Sequence, residues 1–308
     1  MVIIALDEGG SVGFVERSQA ERRDRRRDAP PPRRPVVDVT AGVAIAIVLV
    51  FVAPAALRLV TPGVVLVPGS AAPAAGTVDP TPQLGPEYPP LPADSRYPSR
   101  VLPPVRTAAT GDHAYIGTRP DGSPIAFDPC RPVHFVINQD EVPDAGGQLV
   151  RAAMAEISAA TGLAFVDDGA TSERISEDRE PVQPVRYGER WAPVLVDWVD
   201  DAEITAPGEE LFGVTFPHVI APTGTASARY VTGSVGLNRA WFAHALGDPA
   251  EAAVARGVLL HELGHLVGLD HVKDPAQVMH ATSDTVGLAD GDRAGLAAVG
   301  AGACHADT

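Results

Sequence analysis

The chain has 308 residues, of which 45% are hydrophobic and 5% are aromatic, and its formal net charge is −15. Because so acidic a surface repels phosphate groups, the composition argues against nucleic acid or anionic lipid as a partner. The length allows one or two domains, and the 30 prolines and 30 glycines indicate that part of the chain is not globular.

The first 60 residues contain an arginine-rich tail and an apolar segment. Residues 1–35 are charged and rich in proline, and we expect them to be disordered and cytoplasmic. Residues 36–60 include the uncharged stretch Val39–Leu57, which as a helix is long enough to span a hydrocarbon core of about 30 Å. The sequence thus predicts a single-pass membrane protein with the rest of the chain outside the cell. If the segment were instead a signal peptide cleaved near the small residues 53–55, the product would be secreted.

A linker and a globular domain follow. Residues 61–110 contain many prolines separated by small residues, which predicts an extended linker. Residues 111–308 contain strand-like and helix-like patterns, so we expect one globular domain there. Its predicted strands cover 132–138, 163–166, 193–199, 213–220 and 234–238, and its predicted helices cover 144–161, 249–267 and 291–299.

The segment with the sequence HELGHLVGLDH, which begins at His261, carries the candidate chemistry. On a helix, His261 and His265 are four residues apart and project from one face, so both imidazoles can bind one metal ion. Glu262 is offset around the helix, which keeps it off the metal but within reach of a water molecule bound there. Gly268 permits a left-handed turn after the helix, and this turn can bring His271 back as the third ligand.

Three protein ligands leave a fourth position open for water, which is the arrangement of a catalytic rather than a structural zinc ion. The alternative is a helix whose histidines are satisfied by other contacts, but a pattern that fixes five positions rarely occurs by chance. We therefore expect one catalytic Zn²⁺ with Glu262 as the general base.

This pattern resembles the signature of the metzincin zinc endopeptidases, and within that clan the chain is most similar to the matrixins. Met279 lies eight residues after His271, where matrixins carry the methionine of their Met-turn, a hydrophobic floor under the zinc ligands. The resemblance implies a zincin-like α+β domain, in which a twisted mixed sheet packs on a long helix and the active-site helix, with a small C-terminal subdomain after the third histidine. The chain departs from the family at His280, where matrixins usually have tyrosine, and at Ala281, which leaves no tyrosine ligand.

The resemblance also implies an extended substrate that adds to an edge strand of the sheet, and the best candidate is the stretch Gly213, Val214, Thr215 and Phe216. The expected activity is hydrolysis of peptide bonds in extracellular proteins by a monomeric enzyme. Two alternatives remain open: a surface module that holds zinc without catalysis, and a zinc amidase that acts on cell-wall material. Glu262 argues against the first, because a structural site has no use for a base.

Three further groups of residues need an interpretation. Cys130 and Cys304 lie at opposite ends of the domain and are expected to form a disulfide, with two free thiols or a latency-controlling thiol as alternatives. His280 is expected at the surface, and a contact with substrate or oxyanion is the alternative. A group of acidic residues could bind a structural Ca²⁺, but a solvated strand end is favoured because no tight ligand loop is apparent. These acidic residues are Asp197, Asp200, Asp201 and Glu203.

Overall fold

The computed structural model describes residues 99–176, 178–200, 211–221, 227–282 and 285–305. Upstream of these it describes two short strands that pair antiparallel, β1 (Ala5–Leu6) and β2 (Val12–Gly13). The rest of the predicted tail, the apolar segment 36–60 and the linker up to residue 98 lie outside the described residues.

The prediction of a membrane-spanning helix has to be corrected. In the part of the chain that the structure describes, no helix is long and apolar enough to cross a membrane. The longest described helix, Pro249–Val267, contains the charged residues Glu251, Arg256 and Glu262, and its C-terminal half is buried in the domain. The segment predicted to span the membrane, Val39–Leu57, lies outside the described residues.

A five-stranded mixed sheet forms the centre of the domain. Its strands are β4 (Val133–Asn138), β5 (Phe165–Thr171), β6 (Val194–Val199), β7 (Gly213–Ile220) and β8 (Arg229–Asn238). Their order is β5-β4-β6-β8-β7, and all neighbours pair parallel except β7, which runs antiparallel to β8 at the edge. A separate two-stranded sheet pairs β3 (Ala114–Tyr115) with β9 (Leu269–Asp270).

Helices cover one face of this sheet. The helices on this face are α1 (Gly146–Thr161), α3 (Arg239–Ala245), α4 (Pro249–Val267) and α5 (Asp290–Gly300), whereas the short helix α2 (Pro184–Tyr187) belongs to the connection between β5 and β6. Helix α4 packs against β7 and β8, and α1 packs against both α4 and α5. The domain is therefore an α+β structure with a mixed sheet, as the sequence predicts, and its core lies between the sheet and α1 and α4.

Local sequence explains where α4 begins and ends. The Asp248 carboxylate accepts hydrogen bonds from the N–H groups of Ala250 and Glu251, and Pro249 occupies the first helical position, where its missing N–H costs nothing. The helix ends at Gly268, whose φ of 113° is a left-handed conformation that favours glycine. Every residue from Gly257 to Val267 is buried, so tertiary packing holds this half of the helix rigid.

The connection between β5 and β6 covers the other face of the sheet at β8. Ile175 in this connection lies so close to Gly236 of β8 that a β-carbon on the glycine would be 3.0 Å from the isoleucine side chain. The buried Asp197 of β6 holds the same connection, accepting from Arg174 at 3.1 Å and from the Ile175 N–H at 2.7 Å. Because this carboxylate is engaged with a cation of the protein, it does not support the Ca²⁺ site considered from the sequence.

Other members of that acidic group add no support for calcium. Asp200 forms an ion pair with Arg239, and Asp201 and Glu203 lie outside the described residues. The structure also differs from the predicted elements in β8, which begins at Arg229 rather than at residue 234. The polar residues of this strand weaken its signal in the sequence, whereas pairing with β7 from Arg229 onward stabilises its first half in the fold.

Cys130 and Cys304 are joined in a disulfide, with their Cα atoms 5.3 Å apart and a sequence separation of 174. In the chain-entropy model, closing a loop of this length stabilises the folded state by about 5 kcal/mol. Arg100 and Val101, at the end of the predicted linker, bond to this end of the domain through the carbonyls of Gly302 and Pro129. The packed part of the chain thus begins upstream of residue 111.

Candidate metal centre

Three histidines converge at the end of α4. His261 and His265 project from the same face of the helix, and the turn at Gly268 leads through β9 to His271. The Nε2 atom of His261 lies 2.8 Å from Nε2 of His265 and 3.2 Å from Nε2 of His271. Among the described residues, these three side chains form a group that could hold one metal ion.

Main-chain carbonyls set the orientation of two of these rings. The Nδ1 atom of His261 lies 2.6 Å from the carbonyl oxygen of Val278, and Nδ1 of His265 lies 2.8 Å from that of Leu269. Because a carbonyl oxygen can only accept, each Nδ1 carries the proton and each Nε2 presents a lone pair to the centre. Burial lowers the pKa of both rings well below the usual value for histidine, which keeps them neutral.

The convergence of these nitrogens fits a zinc ion. Two unprotonated Nε2 atoms cannot hydrogen-bond to each other, so their proximity is favourable only if a cation lies between them. Two ligands at about 2.0 Å from a tetrahedral zinc are separated by roughly 3.3 Å, which is near the distances between the Nε2 atoms. Burial also lowers the pKa of His271, although the nearby Asp270 opposes that effect. The donor set is therefore three neutral imidazoles, as in many catalytic zinc sites.

The second group of potential ligands in the described part of the chain is Asp128, Cys130 and Cys304. Both of its sulfur atoms are committed to the disulfide, which removes the thiolates that a metal would need. Cys130 is accordingly not available as a further metal ligand at the group of three histidines. Because neither cysteine is a free thiol, the structure does not support the alternative in which a cysteine controls latency.

Glu262 is buried beside the histidines and makes an asymmetric set of hydrogen bonds. The hydroxyl of Thr215 in β7 donates to its Oε2 at 2.5 Å, while Oε1 is buried and has no hydrogen-bond partner among the described residues. The absence of a side chain at Gly213 leaves space for the Glu262 side chain, since a β-carbon there would lie 2.7 Å from the Cγ atom of Glu262. Burial raises the pKa of Glu262 to about 8, an effect that the Thr215 hydrogen bond and any adjacent cation oppose.

Met279 lies under the histidine-bearing turn of α4. It is buried, with 2% of its surface exposed, and its sulfur lies directly against Gly264, so closely that a β-carbon on the glycine would overlap it. Gly264 lies between His261 and His265 in the sequence. Because any side chain at this position would meet the Met279 sulfur, a larger residue there would displace either the methionine or the helix. Gly264 is not the fixed glycine of the sequence pattern, which is Gly268, so this contact with Met279 gives Gly264 a packing role of its own.

Asp292, near the start of α5, holds the chain around Met279. Its carboxylate accepts hydrogen bonds from the N–H groups of Val278, Met279 and Ala289, at 2.8, 3.1 and 2.8 Å. Burial raises the pKa of this carboxyl, and these three hydrogen bonds oppose the shift. Because the carbonyl of Val278 orients His261, Asp292 supports one of the three converging histidine rings through the main chain. The sequence indicates only an acidic helix start at this position, and not this contact.

Asparagine at position 292 is expected to weaken zinc binding and lower the melting temperature. Its amide group would place an NH₂ against main-chain N–H groups, leaving at least one buried donor unpaired at a cost of about 1–3 kcal/mol. Zinc affinity by competition with a chromophoric chelator, together with thermal unfolding, measures both effects. Asp290→Asn is the matched control, because Asp290 is an exposed carboxylate in the first turn of the same helix. Equal zinc affinities for the two variants would contradict the role of Asp292.

The remaining residues singled out from the sequence fall around this centre. Gly213, Val214, Thr215 and Phe216 belong to β7, the edge strand, and two of them contact Glu262 as described above. His280 is half-buried and forms a parallel bridge with Val272, and its Nδ1 accepts a hydrogen bond from the Thr282 N–H at 3.2 Å. His280 is not part of the group of three histidines.

Comparison with known families agrees with the sequence pattern. The matrixin peptidase family model matches residues 197–299, which run from β6 through the histidines and Met279 to the end of α5. A search of the curated proteins found no match. The matched stretch includes β7, helix α4, the turn that leads to His271 and the region of Met279 in one continuous segment. The chain therefore carries a matrixin-like metallopeptidase domain.

Proposed function

We propose that this protein is a zinc-dependent endopeptidase in which His261, His265 and His271 bind the metal and Glu262 is the general base. One observation carries the proposal: three imidazole nitrogens converge beside a buried carboxylate whose Oε1 has no partner among the described residues. A structural metal site would have no need for such a carboxylate, whereas a hydrolase needs an acceptor for the proton of the attacking water. The match to the matrixin family supports the same chemistry.

In the proposed mechanism, zinc when bound would polarise the scissile carbonyl and acidify a water molecule. Oε1 of Glu262 accepts the proton of this water and then delivers it to the departing amine. Thr215 fixes the other carboxylate oxygen, so Oε1 keeps its position while the proton moves. The buried position of Glu262 excludes bulk water, which strengthens its interaction with the reacting groups.

The substrate is proposed to bind in an extended conformation along β7. This strand is at the edge of the described sheet, and an edge strand offers main-chain donors and acceptors to an added strand. The contacts of Thr215 and Gly213 with Glu262 put this edge next to the proposed base. We further propose that the enzyme acts in a compartment that keeps disulfides oxidised, which the Cys130–Cys304 bond supports.

The test is proteolysis by the full chain loaded with zinc. We expect cleavage of casein and of members of a mixed peptide library, with the new termini identified by mass spectrometry. Because the metal supplies the acidified water, 1,10-phenanthroline should abolish cleavage and added Zn²⁺ should restore it. Cleavage of cell-wall amides in place of peptides would favour the amidase alternative. Stable zinc binding with no hydrolysis of either material would favour the non-catalytic module.

A further inference from the structure

Pro217 lies in the middle of β7, the edge strand along which substrate is proposed to bind. One side of β7 pairs with β8, and among the described residues no strand pairs with the other side. Proline has no N–H group, so it is tolerated in a sheet where that group would face away from the neighbouring strand. The direction in which the main chain of Pro217 faces therefore decides which hydrogen bond is lost.

Two hydrogen bonds determine that direction. The N–H of Asn238 donates to the carbonyl of Phe212 at 2.9 Å, so these residues are a hydrogen-bonded pair at the start of the β7–β8 ladder. Because bonded and non-bonded pairs alternate along an antiparallel ladder, the register makes Pro217 and Gly233 a non-bonded pair. A second hydrogen bond supports this assignment, because the carbonyl of Gly233 accepts from Arg179 at 3.2 Å and so points away from β7. Arg179 also donates to the carbonyl of Pro193, just before β6. Pro217 consequently faces the free edge.

The same alternation assigns Gly213 and Thr215 to the free edge as well. Thr215 lies beside the proposed base, because its hydroxyl bonds to Glu262, and its main-chain N–H and C=O are both turned away from β8. Pro217 is two residues, or about 7 Å, further along the strand. It offers an incoming strand only its carbonyl oxygen, and its ring occupies the place of the missing donor.

On the basis of the proposed function, we propose that Pro217 is a specificity-determining residue that ends main-chain recognition of substrate close to the scissile bond. A second feature acts in the same direction, since the β7–β8 register shifts between His218 and Val219 and such an irregularity increases the local twist of an edge. The substrates that fit this edge are proteins that present a short extended segment, such as a surface loop. A longer substrate strand would gain no complete set of main-chain hydrogen bonds beyond Thr215, because Pro217 has no N–H to donate.

The test compares the full-chain enzyme with its Pro217→Ala variant on capped peptides that grow by one residue at a time on either side of the cleaved bond. In the wild type, kcat/KM should stop rising on one side once the peptide reaches position 217. In Pro217→Ala the restored N–H should raise kcat/KM about two- to ten-fold for the peptides that reach this position, and leave the shorter peptides unchanged. The wild-type plateau is a separate measurement that does not depend on how the variant folds.

His218→Ala is the matched control, because His218 is adjacent but its main chain faces β8. It should keep the length profile of the wild type. Identical profiles for the wild type and Pro217→Ala would overturn the inference while leaving the proposed function intact. Self-association of Pro217→Ala in size-exclusion chromatography with an unchanged profile would also overturn it, and would assign Pro217 to protection of the edge against pairing. Failure of every peptide to be cleaved would instead overturn the proposed function, and the inference with it.

Discussion

Replacing Glu262 by glutamine is expected to lower kcat for peptide hydrolysis by about 10²- to 10⁴-fold while zinc remains bound. Glutamine has nearly the same shape and can still accept the hydrogen bond from Thr215, but it cannot take a proton from water. The side chain is fully buried, so removal of its charge is not expected to destabilise the fold. Steady-state kinetics, zinc content by elemental analysis and thermal unfolding test the three parts of this expectation.

Glu251→Gln provides the control for Glu262→Gln, because Glu251 is an exposed carboxylate in the first turn of the same helix. This variant should retain wild-type kcat and zinc content. Glu262→Ala adds a second comparison, since it removes the carboxylate together with its contact to Thr215. Cleavage of casein at the wild-type rate by either Glu262 variant would remove the claim that this residue is the base.

Replacing His265 by alanine is expected to weaken zinc binding by more than about 100-fold and to abolish hydrolysis. Loss of an outer-shell partner alone typically costs 10- to 100-fold in metal affinity, and His265 is proposed to be a direct ligand. It is also the ring whose Nε2 lies 2.8 Å from that of His261. Zinc content after dialysis measures the loss, and so does the rise in melting temperature on addition of zinc, which should disappear.

His244→Ala is the matched control for the histidine substitution. The His244 side chain is 79% exposed in α3 and takes no part in the group of three histidines, so zinc content and activity should be unchanged. Full zinc occupancy of His265→Ala after dialysis would contradict the ligand assignment. The same result would leave the enzyme proposal without its metal site.

The metal-binding group follows from short-range features of the chain. Two histidines four residues apart on a helix share one face whatever the rest of the protein does, and Gly268 allows the turn that returns His271. Asp248 and Pro249 likewise mark the start of the helix without help from tertiary structure. Local periodicities also distinguish the strands of the domain from its helices, whereas the α+β class is implied by the resemblance to the matrixins.

Sequence patterns were less informative where an element depends on its neighbours. The start of β8 includes Thr232 and Gly233 and has only a weak strand pattern, although in the fold it pairs with β7. The apolar segment 36–60 has the length of a membrane span, but length alone does not establish one. The correction follows from the described helices, none of which can cross a membrane.

The sequence by itself determined the grouping of the three histidines, the adjacent glutamate and the likeness to matrixins, because these depend on spacing along one helix and its exit turn. Only the tertiary structure decided that Thr215 holds the glutamate, that Asp292 holds the turn at Met279, and that Pro217 faces the free edge. Each of these contacts joins elements distant in the sequence, or depends on the register of two strands. Such contacts are set by how the elements pack in the folded domain, and no local pattern encodes that packing.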